Sequence, residues 1–142
     1  MFHKFVLAVS VILMAGTAIV GSAFARTPAP LDAEVFFISP KDGDVVTSPV
    51  TLRFGIKGMT VAPAGTMKKN SGHHHLLIDV KHPSFDKPVK KNATHRHFGK
   101  GQTEATIKLS PGKHSLQLLL GDHKHTPHDP AVRSSKIIIT VK

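Results

Sequence analysis

Apolar residues follow two different patterns along this chain. Phe5 to Val20 is a nearly continuous apolar run behind one lysine, Lys4. From Glu34 onward, apolar and polar positions alternate in short runs broken by Gly, Pro and Asp, which is the period of a half-buried β-strand. The runs are EVFFIS (34–39), VTLRFGIK (50–57), HHLLIDV (74–80), TEATIKL (103–109), HSLQLLL (114–120) and KIIITV (136–141). Residues 58–72 and 121–134 read as long loops. Residues 82–101 read as an irregular basic segment, with a short edge strand near Pro88 and Val89. No window sustains the 3.6-residue period of an amphipathic helix. Six or seven short strands in about 110 residues predict one all-β domain over 34–142, an immunoglobulin-like antiparallel β-sandwich.

The first apolar run has a different meaning. A positive start, an apolar stretch and the small-x-small sequence Ala23-Phe24-Ala25 are the parts of a Sec-type signal peptide, so residues 1–25 are expected to be removed. The alternative is an uncleaved membrane anchor, but the run is short for a spanning helix and contains Gly16 and Thr17. After cleavage no stable membrane span is expected. Residues 26–33 form a proline-containing lead-in. The expected location is the periplasm, or outside the cell.

Export changes how the composition is read. Small domains in oxidising compartments often rely on disulfides, yet this chain has no cysteine. Thiolate metal sites and cysteine catalysis are excluded with it. Loss of residues 1–25 leaves 18 basic against 9 acidic residues. Lys68, Lys69, Lys81, Lys87, Lys90, Lys91 and Lys100 lie in one stretch, either as a solvated basic face or as an attraction for an anionic envelope component. Nucleic acid is not expected as a partner: the chain is exported and has neither tryptophan nor tyrosine to stack on bases.

Histidine is the chemically distinctive residue. Eight of the eleven fall in three clusters: His73, His74 and His75; His95 and His97; His123, His125 and His128. In an immunoglobulin-like sandwich the loop before the third strand and the loop after the sixth share one end, and the fifth strand is entered there too. All three clusters then meet at one pole, with His82 and His114 at the other. Residues two apart on a strand face the same way, so His73 pairs with His75 and His95 with His97. The expected metal ligands are His73, His75, His97, His125 and His128. His74, His95, His123 and Asp122 are expected around them, and Asp122, Asp129 or Glu104 to hydrogen-bond the outer ring nitrogens. His74 points to the opposite face from His73 and His75. Two other readings stand beside this one, a histidine network that is only structural and an anion or sugar site. His114 reads as structural, bonding back to the backbone at a strand corner.

Stretches of the sequence also resemble a known family. At GHHHLLID, HFGKGQTE and LQLLLGDHKHTPHDP the chain is similar to exported bacterial domains grouped as domain of unknown function 4399, over roughly Ala33 to Lys142. The resemblance implies that His73, His74, His75, His97, His125 and His128 are motif positions, with His123 in a looser one. It implies no activity.

Templates for hydrolytic or phosphoryl chemistry are missing: there is no HExxH, no GxSxG and no phosphate-cradling glycine loop. The sequence therefore predicts a binding protein rather than an enzyme, holding Cu(II) or Zn(II). The alternatives are an envelope adhesion or scaffolding module that binds anionic polymers and, less favoured, a copper redox enzyme on a similar sandwich.

Overall fold

The structure, a computed structural model, describes residues 25–142. The expected signal peptide lies outside them except for Ala25. Among the described residues there is no helix long and apolar enough to cross a membrane.

Among the described residues, nine strands make two sheets. They are β1 (Glu34–Ser39), β2 (Val45–Val46), β3 (Val50–Lys57), β4 (Thr60–Val61), β5 (Ser71–Ile78), β6 (His95–His97), β7 (Glu104–Ile107), β8 (Gly112–Gly121) and β9 (Ile137–Val141). One sheet has the order β1-β3-β7. The other runs β2-β9-β8-β5, with β4 and β6 both pairing to the far edge of β5. This is the expected all-β sandwich, built of nine strands rather than six or seven. Two short pairings, β2 with β9 and β4 with β5, are parallel rather than antiparallel.

Alternation builds the core. Val50, Leu52 and Phe54 point inward from β3 and meet Leu76, Ile78, Leu116, Leu118 and Leu120 of the larger sheet. Each such side chain contributes about 1.5–3 kcal/mol on full burial. His74 lies in the same inward row and packs its ring 5.2 Å from that of Phe54. His73, His75 and Leu77 take the outer face.

That outer face is also covered, because every residue of β5 is buried. The β5–β6 connection, residues 79–94, crosses it as a strap, and Val80, Pro83, Pro88, Val89 and Lys90 line a cavity against Leu77 and Leu119. The consecutive apolar residues Leu76-Leu77-Ile78 and Leu118-Leu119-Leu120 are the sequence counterpart of a strand buried on both faces.

Two expectations need correcting. The third strand spans Ser71–Ile78 rather than 74–80. It starts early because β4 pairs with Ser71 and Gly72. It stops at Asp79, which adopts a left-handed φ of 57° while its carboxylate accepts the Ser115 N–H at 2.8 Å. The extra edge strand is at His95–His97, not near Pro88 and Val89, and places His97 opposite His75. Its three residues, two histidines and an arginine, carry too little apolar alternation to signal a strand.

Candidate metal centre

Strand pairing brings the first imidazoles together. On the outer face of β5, His73 lies opposite Gly121 and His75 opposite Leu119 and His97. The turn after β8 then delivers His125. Asp122 organises that turn: its Oδ1 accepts the N–H groups of Lys124 and Thr126 at 2.8 and 3.0 Å. This self-bonding loop is a habit of aspartate. His125 completes the turn with φ of 62°, a left-handed conformation that is uncommon for a non-glycine residue and clusters at functional sites.

The result is a group of three. His73 Nε2 lies 2.9 Å from His125 Nδ1, and His75 Nε2 lies 3.4 Å from the same atom. One nitrogen from each of His73, His75 and His125 falls within 4.8 Å of the other two, and the three could hold a metal ion. Metal–imidazole bonds of about 2.0–2.1 Å at tetrahedral angles put ligand nitrogens about 3.3 Å apart. The observed spacings bracket that value. The donor set is all imidazole, which suits Zn(II) and Cu(II).

Burial shapes the chemistry of the group. His73 and His75 are 0% exposed. Burial, then the charges of His125 and His97, lower the His73 pKa to about 4, against a smaller opposing pull from Asp122. Burial lowers His75 further, with His73, His97 and His125 adding to it. Burial, then His97, also lowers His125. The three rings are therefore neutral at pH 7, the state in which imidazole offers a lone pair to a metal. The Nδ1 atoms of His73 and His75 are buried without a hydrogen bond. An unpaired buried polar group costs about 1–3 kcal/mol, so the packing tolerates two such groups to keep these rings where they are.

Glycine makes the space. A Cβ on Gly121 would come within 2.4 Å of His75 Cε1 and 2.9 Å of its Nδ1. The His75 ring lies directly against this backbone, and only glycine leaves room for it.

The other expected residues divide. His97 stands beside the group, its ring centre 4.4 Å from that of His75 and 4.7 Å from that of His125, stacked on the latter. Its Nε2 donates to the Lys90 carbonyl at 2.9 Å, so that nitrogen is committed to the strap. His128 stands outside the group of three; it is fully buried and its Nε2 donates to the Ser71 carbonyl at 3.1 Å. Burial lowers its pKa, with the Ser71 carbonyl opposing. His74 faces the core, where burial lowers its pKa to about 4 and neither ring nitrogen is hydrogen-bonded. His95 shares the outer face of β6 but bonds locally to Thr94 and Asn92. His123 is half-buried and offers its carbonyl to Gly65 N–H. Asp122 hydrogen-bonds none of the histidine rings, contrary to expectation; it shapes the turn and acts on the rings through its charge alone. Asp129 pairs with Arg26 at 2.9 Å and Glu104 with Arg53 at 3.6 Å, so neither orients an imidazole. His82 is exposed. His114 is structural as expected, with Nδ1 on Asp79 at 2.7 Å and Nε2 donating to the Ser110 carbonyl at 2.8 Å.

Two supports of the site carry no signal in the residue pattern. The lead-in is stitched to the histidine turn: Thr27 Oγ1 donates to Asp122 Oδ2 at 2.7 Å, and Arg26 donates to the His128 carbonyl at 3.1 Å and to the Phe85 carbonyl. The strap holds the other side, with Val89 N–H donating to the His125 carbonyl at 2.9 Å. Backbone acceptors leave no trace in a residue pattern.

Comparison with known proteins gives the family and nothing beyond it. No match was found among curated proteins or among solved structures. The model of the family described as domain of unknown function (DUF4399) matches residues 52–142. The match runs from within β3 to Lys142 and takes in His73, His75, His97 and His125, while β1 lies before it. The chain belongs to the DUF4399 family.

Proposed function

We propose that this protein is an exported metal-binding protein that holds one divalent transition-metal ion, Cu(II) or Zn(II), on His73, His75 and His125. The observation that carries the reading is the convergence of three neutral imidazole nitrogens within 4.8 Å, two of them on fully buried rings. Copper is favoured on intrinsic affinity, since imidazole sites bind Cu(II) more tightly than Zn(II) in the absence of other selection. The role is binding rather than turnover, in the periplasm or outside the cell.

The rival reading, an adhesion module for anionic polymers, draws on the exposed lysines of the strap, Lys81, Lys87 and Lys90. It needs protonated histidines, and burial opposes protonation at His73, His75 and His125. The two readings predict opposite pH trends. Protons compete with a metal for imidazole, so uptake weakens as pH falls. Polymer binding strengthens as histidines charge, and weakens with salt. Calorimetric titration of residues 26–142 with Cu(II), Zn(II) and Ni(II) decides the matter. Affinity no better than about millimolar, near 4 kcal/mol, retires the metal site.

A further inference from the structure

The charge around this site does not balance. A divalent ion on three neutral imidazoles keeps both of its charges, and no carboxylate belongs to the group. Asp122 acts on His73 and His125 through its charge, and its oxygens are taken by Thr27, Lys124 and Thr126. Three protein ligands also leave at least one coordination position open. The surroundings add positive charge. An open cavity of about 520 Å³ is lined by Lys91, His97, Gly99, Lys100, Gln102 and His125. No acidic residue lines it.

The cavity meets the group of three at His125. His125 belongs both to the cavity wall and to the group of three, and His97 is stacked on it at 4.7 Å. His73 and His75 are closed to solvent behind them. An open position on the His125 side of a bound ion would then face the two lysines. The Lys100 N–H occupies Gln102 Oε1 at 2.9 Å, which leaves the Gln102 amide NH₂ as a donor. Cavity and metal together offer two ammonium groups, an amide donor and a Lewis-acidic ion.

Resting on the metal reading above, we infer that the loaded site binds a small oxyanion, a carboxylate or phosphate group, with one oxygen on the metal and the others facing Lys91 and Lys100. The lysines, which repel a cation when considered alone, then serve the second ligand. The anion supplies the negative charge that the protein withholds. Charge-assisted hydrogen bonds of this kind are roughly twice as strong as neutral ones and favour acceptors that carry full charge.

The test separates the two steps. The protein is first titrated with Cu(II) in a buffer that does not coordinate copper. Acetate, and separately inorganic phosphate, is then added to copper-loaded protein, to metal-free protein, and to the copper-loaded Lys91→Gln/Lys100→Gln variant. Binding is followed by electron paramagnetic resonance for the loaded forms and by calorimetry for all three. A saturable change in the copper signal is expected, with anion binding at least about tenfold weaker in metal-free protein and about tenfold weaker in the double variant. Copper affinity of the variant is expected to be no lower than that of the parent, because two repelling charges have gone. Failure of copper uptake in the first step overturns the metal reading and this inference with it. Copper uptake with no anion-dependent signal, or with equal anion affinity in parent and double variant, overturns the inference and leaves the metal site standing.

Discussion

At the scale of single residues, the site depends on atoms that are absent as much as on those present. Gly121 is the clearest case, because the space its Cβ would take is filled by the His75 ring. Gly121→Ala is expected to displace that ring and weaken metal binding by about tenfold or more, the loss that follows a misplaced ligand. Competition with a chelator of known affinity measures it, and unchanged affinity would mean that His75 is not a ligand. His114 offers a contrasting residue, because its chemistry is structural. Its bonds to Asp79 and Ser110 raise its pKa above the usual 6.5. A raised folded-state pKa contributes stability that is complete below the unfolded value and is lost as pH rises through the folded value. His114→Ala should therefore cost about 1–2 kcal/mol at pH 6, less above neutral, and leave metal affinity unchanged. Denaturant midpoints at pH 6 and pH 9 provide the check; an equal cost at both would remove the charged pair from the account.

Among the elements, the turn after β8 is the one that has to be held in place. Its His125 adopts a left-handed backbone, which costs of order 1–3 kcal/mol and persists only where neighbours over-determine it. The Asp122 carboxylate, the Thr27 hydroxyl and the Val89 N–H are those neighbours. Thr27→Val removes one hydrogen bond from the buried Asp122 carboxylate and keeps the shape of the side chain. We expect a stability loss of about 1 kcal/mol and faster amide exchange at Lys124 and Thr126. Unaltered exchange at those two amides would show that the lead-in does not brace the turn. These connections also mark where the sequence could be read and where it could not. Period-two alternation located β1, β3, β7, β8 and β9 to within a few residues, because burial on one face writes itself into every second position. It also put His73 and His75 on one face and His74 on the other. β6 and the strap were not legible. Their geometry comes from backbone hydrogen bonds made by Lys90 and Val89, and any residue except proline at 89 supplies that N–H. The same limit applies to His128: spacing shows that it comes near the pole, but not that its Nε2 is taken by the Ser71 carbonyl.

The whole molecule balances two opposite pH dependences. Burial lowers the folded-state pKa of His73 and His74 to about 4, below the value near 6.5 in an unfolded chain. Between those values the unfolded state binds more protons, so metal-free stability should climb as pH rises from about 4 to about 6.5. His114 acts in the other direction above that range. Thermal unfolding across pH 4–9 should give a maximum near neutrality, and a steady decline from pH 4 upward would contradict the buried, uncharged histidines. The proposed metal would bind the folded state at a site that two distant segments build, β5 and the turn after β8, so it should also stabilise the entire sandwich, by about 2.7 kcal/mol at a hundredfold excess over Kd. X-ray absorption on the zinc-loaded protein reads the identity of the ligands. Three imidazole nitrogens at about 2.0 Å with a light-atom fourth ligand are expected, and two imidazoles in His75→Ala. A shell dominated by oxygen, or an imidazole count that His75→Ala leaves unchanged, would contradict the three-histidine site.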